Sequence, residues 1–332
     1  MNRARDCRAE APLFPTLLLA GAIASSWPLA ATAQSGDAAE TAPPQASTAD
    51  EAWFTGPMLA NSASTLPRGH FLIEPYLYDV AVSGHHSVGS LIYILYGVSD
   101  DLTLGAKPSF TLVEGGRGRE KYVAMGDLSL QAQYQLRSAR LRNWSPALSI
   151  SLEQSLPTAR YDRLGERPAA GIGSGSFGTT VALYAQAAGH LANGHIMRAR
   201  LNLSGTVRTA PRVRGVSVYG TDSGFRGRAE GGHAAHIGIA VEYSVTRRWA
   251  LAFDTIADWR SATIVAGTAP DSNGSLVATA YRLRSGWRHG VAPGIEYSWT
   301  PAIGVLVATR FVAAGPTGPA SITPAVALNM VF

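Results

Sequence analysis

Over residues 126–136, GDLSLQAQYQL, apolar and polar residues alternate strictly: Leu128, Leu130, Ala132, Tyr134 and Leu136 fall on one face, Ser129, Gln131, Gln133 and Gln135 on the other. Period two is the signature of a β-strand whose two faces meet different surroundings. The pattern recurs. Leu148, Ile150 and Leu152 oppose Ser149, Ser151, Glu153 and Ser155. Met197, Ala199, Leu201, Leu203 and Val207 oppose Arg198, Arg200, Asn202, Ser204, Thr206 and Arg208. Ile237, Ile239, Val241, Tyr243 and Val245 oppose His236, Gly238, Ala240, Glu242 and Ser244. The chain even stops on such a segment: Val326, Leu328, Met330 and the final Phe332 alternate with Ala327 and Asn329.

A soluble sandwich also alternates, but these segments are long. Twelve can be drawn: 69–80, 87–97, 102–113, 126–136, 146–156, 176–188, 196–209, 234–245, 249–260, 288–299, 303–313 and 321–332. Most exceed the five or six residues typical of soluble strands and reach the length a tilted strand needs to cross a bilayer. Tyr96, Trp249, Tyr297 and Trp299 sit near turns, where membrane barrels carry aromatic girdles. Even-numbered segments are followed by shorter turns and odd-numbered ones mostly by longer loops, notably 114–125, 157–175, 210–233 and 261–287. That asymmetry, with an even strand count, is the pattern of an outer-membrane barrel with periplasmic turns. The expected fold is therefore all-β: an antiparallel transmembrane β-barrel of about 12 strands. Residues 261–287 are long enough to hide a further hairpin, which would shift the count by two. A last strand with an apolar face in lipid must pair with the first, because lipid tolerates no open sheet edge.

Composition agrees. Charged residues make up 15% and hydrophobic ones 46% of the 332 residues, so apolar residues are spread thinly rather than gathered in helices. No basic run interleaved with aromatics supports nucleic-acid binding. The N-terminus carries Arg3, Arg5 and Arg8, then an apolar stretch broken by Pro15 and Pro28, then small residues at Ala31 and Ala33. This reads as a signal peptide over 1–33, with an uncleaved anchoring helix as the alternative. Cys7, the one cysteine, precedes the cut and lies in no lipoprotein-type box. Residues 34–52 read as a flexible periplasmic linker, and 53–332 as the barrel.

Four blocks resemble the outer-membrane transporter family linked to meta-pathway phenol degradation: WFTGPMLANSASTLPRGHFLIEPYLY at 53–78, YGVSDDLTLGAKPSF at 96–110, GDLSLQAQYQL at 126–136, and PALSISLEQSLPTARYDRLGERP at 146–168 followed by GIGSGSF. The resemblance covers about 53–190. It implies an outer-membrane barrel associated with aromatic compounds, and brings no catalytic or binding residues with it. The terminal aromatic, Phe332, resembles the C-terminal signal read by barrel-assembly machinery.

The charged residues that alternation places on the polar face are Glu74, Lys107, Glu153, Arg198, Arg200, Arg208, Glu242, Asp254, Glu296 and Arg310. A midplane Arg or Lys facing lipid would cost about 2–4 kcal/mol, so these belong in the lumen. There they either tune solute passage or pair with one another as a plug; both signs occur. Other signals are weaker. Gly173, Gly175 and Gly178 spell G-x-G-x-x-G, but a strand-like TTVALYAQ follows where a dinucleotide site needs a helix. His85 and His86, and His233 and His236, lack the spacing that fixes a metal geometry. Ser and His residues are not grouped as a nucleophile–base pair would be on a motif. The Arg-bearing stretch 159–176 reads as a solvated loop, or as one that folds into the lumen or contacts lipopolysaccharide phosphates outside. The expectation is a channel, not an enzyme, for passive passage of small hydrophobic or aromatic compounds, with no cofactor. Its partners would be outer-membrane lipid and lipopolysaccharide, the assembly machinery and the solute. The alternatives are a closed structural or adhesive barrel or, less favoured, a barrel-embedded lipid hydrolase.

Overall fold

The computed structural model describes residues 52–115, 119–138 and 144–332. The signal peptide expected over 1–33, with Cys7, and the linker up to residue 51 lie outside the described residues.

The wall begins with β1 (Phe71–Val82) and β2 (His85–Ser99). The next two wall strands are each interrupted. β3 (Leu102–Lys107) and β4 (Ser109–Gly115) are separated by Pro108, which has no N–H for a ladder. β5 (Arg119–Met125) and β6 (Leu128–Arg137) are separated by Gly126 and Asp127. β7 (Ala147–Leu156), β8 (Gly178–His190), β9 (Ile196–Arg208), β10 (Arg212–Arg214), β11 (Arg226–Gly231) and β12 (Ala234–Ser244) follow. The chain finishes with β13 (Trp249–Arg260), β14 (Thr263–Pro270), β15 (Leu276–Leu283), β16 (Gly286–Thr300), β17 (Ile303–Val312) and β18 (Ser321–Val331).

Neighbours pair antiparallel around a closed ring, β1-β2-β3-β6-β7-β8-β9-β12-β13-β16-β17-β18. Leu72 opposite Val331, Tyr76 opposite Ala327 and Ala81 opposite Ile322 close it. Phe71 and Phe332 exchange backbone bonds of 3.0 and 2.9 Å at the seam. The ring thus has the twelve strands expected.

The alternation decides the faces. Leu130, Ile150, Leu152, Leu201, Ile239, Leu251 and Val326 are exposed on the outside. Ser149, Ser151, Arg198, Arg200, Asn202, Ala240, Glu242 and Ala327, at the intervening positions, are buried. Near the short-turn end, Trp249, Tyr297 and Trp299 pack together outside, one pair tilted and one edge-on, with ring centroids 4.6 and 5.4 Å apart. Near the long-loop end, Phe177, Trp287 and Phe311 are exposed. The wall is an apolar band between aromatic belts, as a bilayer requires.

Three segments expected to be loops contain strands. Residues 119–125 form β5 on β4. The stretches 210–233 and 261–287 supply β10, β11, β14 and β15, which form a second sheet in the order β10-β11-β14-β15. Gly231 and Gly232, both at positive φ, join β11 to β12. The hairpin hidden in 261–287 therefore adds height above the ring and no circumference.

Candidate functional site: the lumen and the segment across it

Residues 52–66 contain no charged side chain and no regular secondary structure. They lie inside the ring, with Phe54, Thr55, Met58, Leu59, Ala60, Asn61, Ser62, Ala63, Thr65 and Leu66 buried. A chain without helix or sheet must find partners elsewhere for its buried backbone groups. Lumen side chains provide them.

The segment enters at the short-turn end, where the Trp53 N–H donates to the Arg247 carbonyl at 2.8 Å and Arg247 lies 4.4 Å above the Trp53 ring. Glu296 Oε2 then accepts from the N–H groups of Thr55 (2.7 Å) and Gly56 (3.0 Å) and from the Thr55 hydroxyl (3.1 Å). Asp254 accepts from Met58 (3.0 Å), Leu59 (3.3 Å) and Ala60 (3.0 Å). Arg200 Nη1 donates to the Ala60 carbonyl at 2.8 Å. Asn202 binds the Asn61 backbone on both sides, accepting from its N–H and donating to its carbonyl at 3.0 Å. On the far wall Gln133 donates to the Ser62 carbonyl, Gln135 accepts from the Thr65 N–H and Thr103 accepts from the Leu66 N–H. The segment leaves beside Asp100, which accepts from the Arg68 N–H at 3.0 Å. Met58, Leu59 and Leu66 join Leu72, Tyr76, Tyr93, Leu95 and Leu306 in the largest apolar cluster. The segment is thus a strap that dips into the lumen from one wall to the other.

The charges expected on the lumen face separate by their partners. Arg198 and Arg200 share Glu242, Arg198 through two bonds and Arg200 at 3.2 Å; with Asp254 and Glu296 they surround the strap. Lys107 on β3 pairs across β6 with Glu153 on β7, with its ammonium 5.5 Å from the Tyr93 ring centroid. Glu74, fully buried, accepts from Asn329 at 3.3 Å. Nearer the loop end, Arg310 lies 3.8 Å from Asp258, which also bonds His236 at 2.6 Å. The histidine pairs do not converge: His233 Nδ1 accepts from the Arg208 N–H, while His86 bonds Asp79. Among the described residues no group of three or more His, Cys, Asp or Glu could hold a metal. Gly173 and Gly175 lie in the loop before β8, and a strand follows them.

Arg208 also lines a cavity of about 550 Å³ at the loop end, together with Arg260, Arg284, Tyr219 and Tyr281, and with no Asp or Glu. The tyrosine hydroxyls are committed: Tyr219 donates to the Ser174 carbonyl (2.6 Å) and Tyr281 to the Tyr219 carbonyl (2.9 Å). Burial pushes the Tyr281 phenol up to about 12 and raises that of Tyr219 as well, so both rings stay neutral. A cavity of this size suits a small organic ligand.

With this geometry in place, comparison with solved structures is informative. The COG4313 outer-membrane channel from Pseudomonas putida F1 superposes with a TM-score of 0.56 at 18% identity, over 81% of this chain and 98% of that one. The fold is that of an outer-membrane β-barrel. Weaker likenesses, which add nothing to the argument, are to the NanC porin (TM-score 0.45, 10% identity, 78% and 98% covered) and the Pseudomonas putida toluene transporter TodX (0.41, 12%, 82% and 96%). No family profile matches the sequence, and no curated protein matches it.

Sequence reasoning missed the strap, its polar anchors Asn202, Gln133 and Thr103, and the Asp258 contact. One signal was present. Glycine in a strand marks close backbone approach. A Cβ on Gly97 would lie 2.1 Å from the Pro67 carbonyl oxygen, and one on Gly304 2.1 Å from the Thr55 methyl. These two glycines stand where the strap passes the wall.

Proposed function

We propose that this protein is an outer-membrane channel for passive passage of small solutes, closed at rest by residues 52–66. The observation that carries this reading is the way the strap is held. An uncharged stretch of chain lies across a charged lumen and is bound through its backbone by Asp254, Glu296, Arg200 and Asn202. Such a segment can leave without extracting a strand from the wall. Its departure would uncover a polar path lined by both signs of charge.

The short turns would face the periplasm, Phe332 would serve the assembly machinery, and the chain would reach the membrane through its signal peptide. The cavity at the loop end supports a solute with an aromatic ring and an acid group, since it offers tyrosine faces, three arginines and no carboxylate. That agrees with the aromatic association implied by the family resemblance.

The test is single-channel conductance of the folded mature protein in a planar bilayer, beside a form lacking residues 52–66. Rare openings in the full chain and steady open steps in the shortened one are expected. The buried strap equally suits a closed structural barrel, and silence from a properly folded shortened form would establish that second reading instead.

A further inference from the structure

β10 and β11 pair so that Arg212 stands directly opposite Arg228 and Arg214 directly opposite Arg226. All four side chains are exposed. The opposite face of the same sheet carries Val213, Ala229 and Val265, buried with Phe225. Like charges directly across a strand pair destabilise it, and here two successive rows do so. On β14 the same rows continue as Ala266 and Thr268, so neither row holds a carboxylate; Glu230 lies two positions along from Arg228, opposite Ile264. A fifth arginine is tied in by backbone. The Arg163 N–H donates to the Arg214 carbonyl at 2.9 Å, and Asp162 Oδ2 accepts from the Arg214 N–H at 3.1 Å. Arg163, Arg212, Arg214, Arg226 and Arg228 line one open groove of about 830 Å³ with no Asp or Glu among its lining residues.

The groove's position narrows its ligand. β11 and β14 continue β12 and β13, whose outer faces expose Ile237, Ile239, Leu251 and Phe253 to lipid. Ile264, 53% exposed, shares the arginine face. Ala266, in the Arg212–Arg228 row, lies roughly 23 Å along the strand path from Trp259 at ~3.3 Å per residue. Ala229, Thr263 and Tyr281 on the opposite face line the cavity that Arg208 and Arg260 also line, so the arginines stand on the outer wall of the extension, above the lipid-facing band. Above that band the outer leaflet of such a membrane carries phosphorylated glycolipid. Guanidinium groups bind phosphate through paired, directional hydrogen bonds.

We infer that this arginine groove binds the phosphate groups of membrane-borne lipopolysaccharide, and that the bound phosphates offset the repulsion between the facing arginines. The inference rests on outer-membrane placement and is independent of transport. It is tested by binding, which is read without conductance.

The experiment uses the folded mature protein in detergent micelles. Bisphosphorylated lipid A, monophosphoryl lipid A and inorganic pyrophosphate are titrated in turn, with affinity and hydrogen exchange of residues 212–228 as readouts. Arg212→Gln/Arg228→Gln is the variant, and its folding is checked by heat-modifiable electrophoretic mobility. The native chain should bind the bisphosphorylated lipid at least tenfold more tightly than the monophosphoryl form, with slowed exchange in the hairpin. The variant should lose at least tenfold in affinity. Without lipid its hairpin should exchange no faster than the native one, because a repulsion has been removed; an arginine pair that merely held the hairpin together would give faster exchange. A folded variant that binds lipid A as tightly as the native chain overturns the assignment. Equal protection by pyrophosphate alone overturns the lipid source and makes free phosphate the ligand.

Discussion

Asp254 and Glu296 each take three donors from an uncharged stretch of the chain, whereas Arg212 and Arg214 face Arg228 and Arg226 across a strand pair with no carboxylate in their rows. The first arrangement finds its partners within the chain. Buried charge is expensive unless bonded, and the lumen meets that cost with its own ion pairs and with the strap's backbone. The second arrangement is exposed and leaves its charge for something outside the chain. The comparison teaches where to look for ligands. A charged cluster already bonded to its own chain holds a structure in place, while one that repels itself at the surface awaits a counter-charge.

The largest effect that would break this comparison comes from the satisfied end. Asp254→Ala with Glu296→Ala orphans five backbone N–H groups. Charge-assisted bonds contribute about 1.5–3 kcal/mol each, so losing the equivalent of two should release the strap by at least ~100-fold. Frequent open steps in a planar bilayer are the expected record, and conductance unchanged from native would show that these carboxylates do not hold the gate. Next comes the division between outer and inner faces. Leu130→Arg places charge on an exposed wall position and should cost about 2–4 kcal/mol, reducing the heat-modifiable folded fraction. Gln131→Arg should fold normally, and equal yields would overturn the face assignment. Deleting Phe332 removes the backbone pair it makes with Phe71 at the seam; slower accumulation of folded barrel in cells is expected, against unchanged accumulation if closure is set elsewhere. The smallest effect belongs to the loop-end cavity. Arg208→Gln/Arg260→Gln should weaken benzoate block of the strapless channel by roughly tenfold (about 1.4 kcal/mol) and leave benzyl alcohol unaffected; equal loss for both solutes would count against recognition of an acid group.

The wall was legible because lipid and lumen impose opposite demands on successive residues. Leu130 and Gln131 cannot exchange places, so period two survives in the sequence. The extension was not. Above the membrane both faces meet water or loops, and segments such as RGRAEG at 226–231 read as loop although they pair in register. The strap was the least legible part. It has no period because its backbone, not its side chains, is what the lumen recognises. Alternation assigned ten charges to the polar face, yet it could not show that Asp254 and Glu296 bond a chain segment while Lys107 and Glu153 bond each other.

The strap also sets an order of events. It precedes β1 and so leaves the ribosome first, but its anchors lie on β6, β9, β13 and β16, and part of its apolar bed comes from β17 and β18. It therefore has no complete seat until the last strands have joined the wall. The earliest-made part of the barrel is the last to settle, and a seated strap is a record that the ring around it is complete.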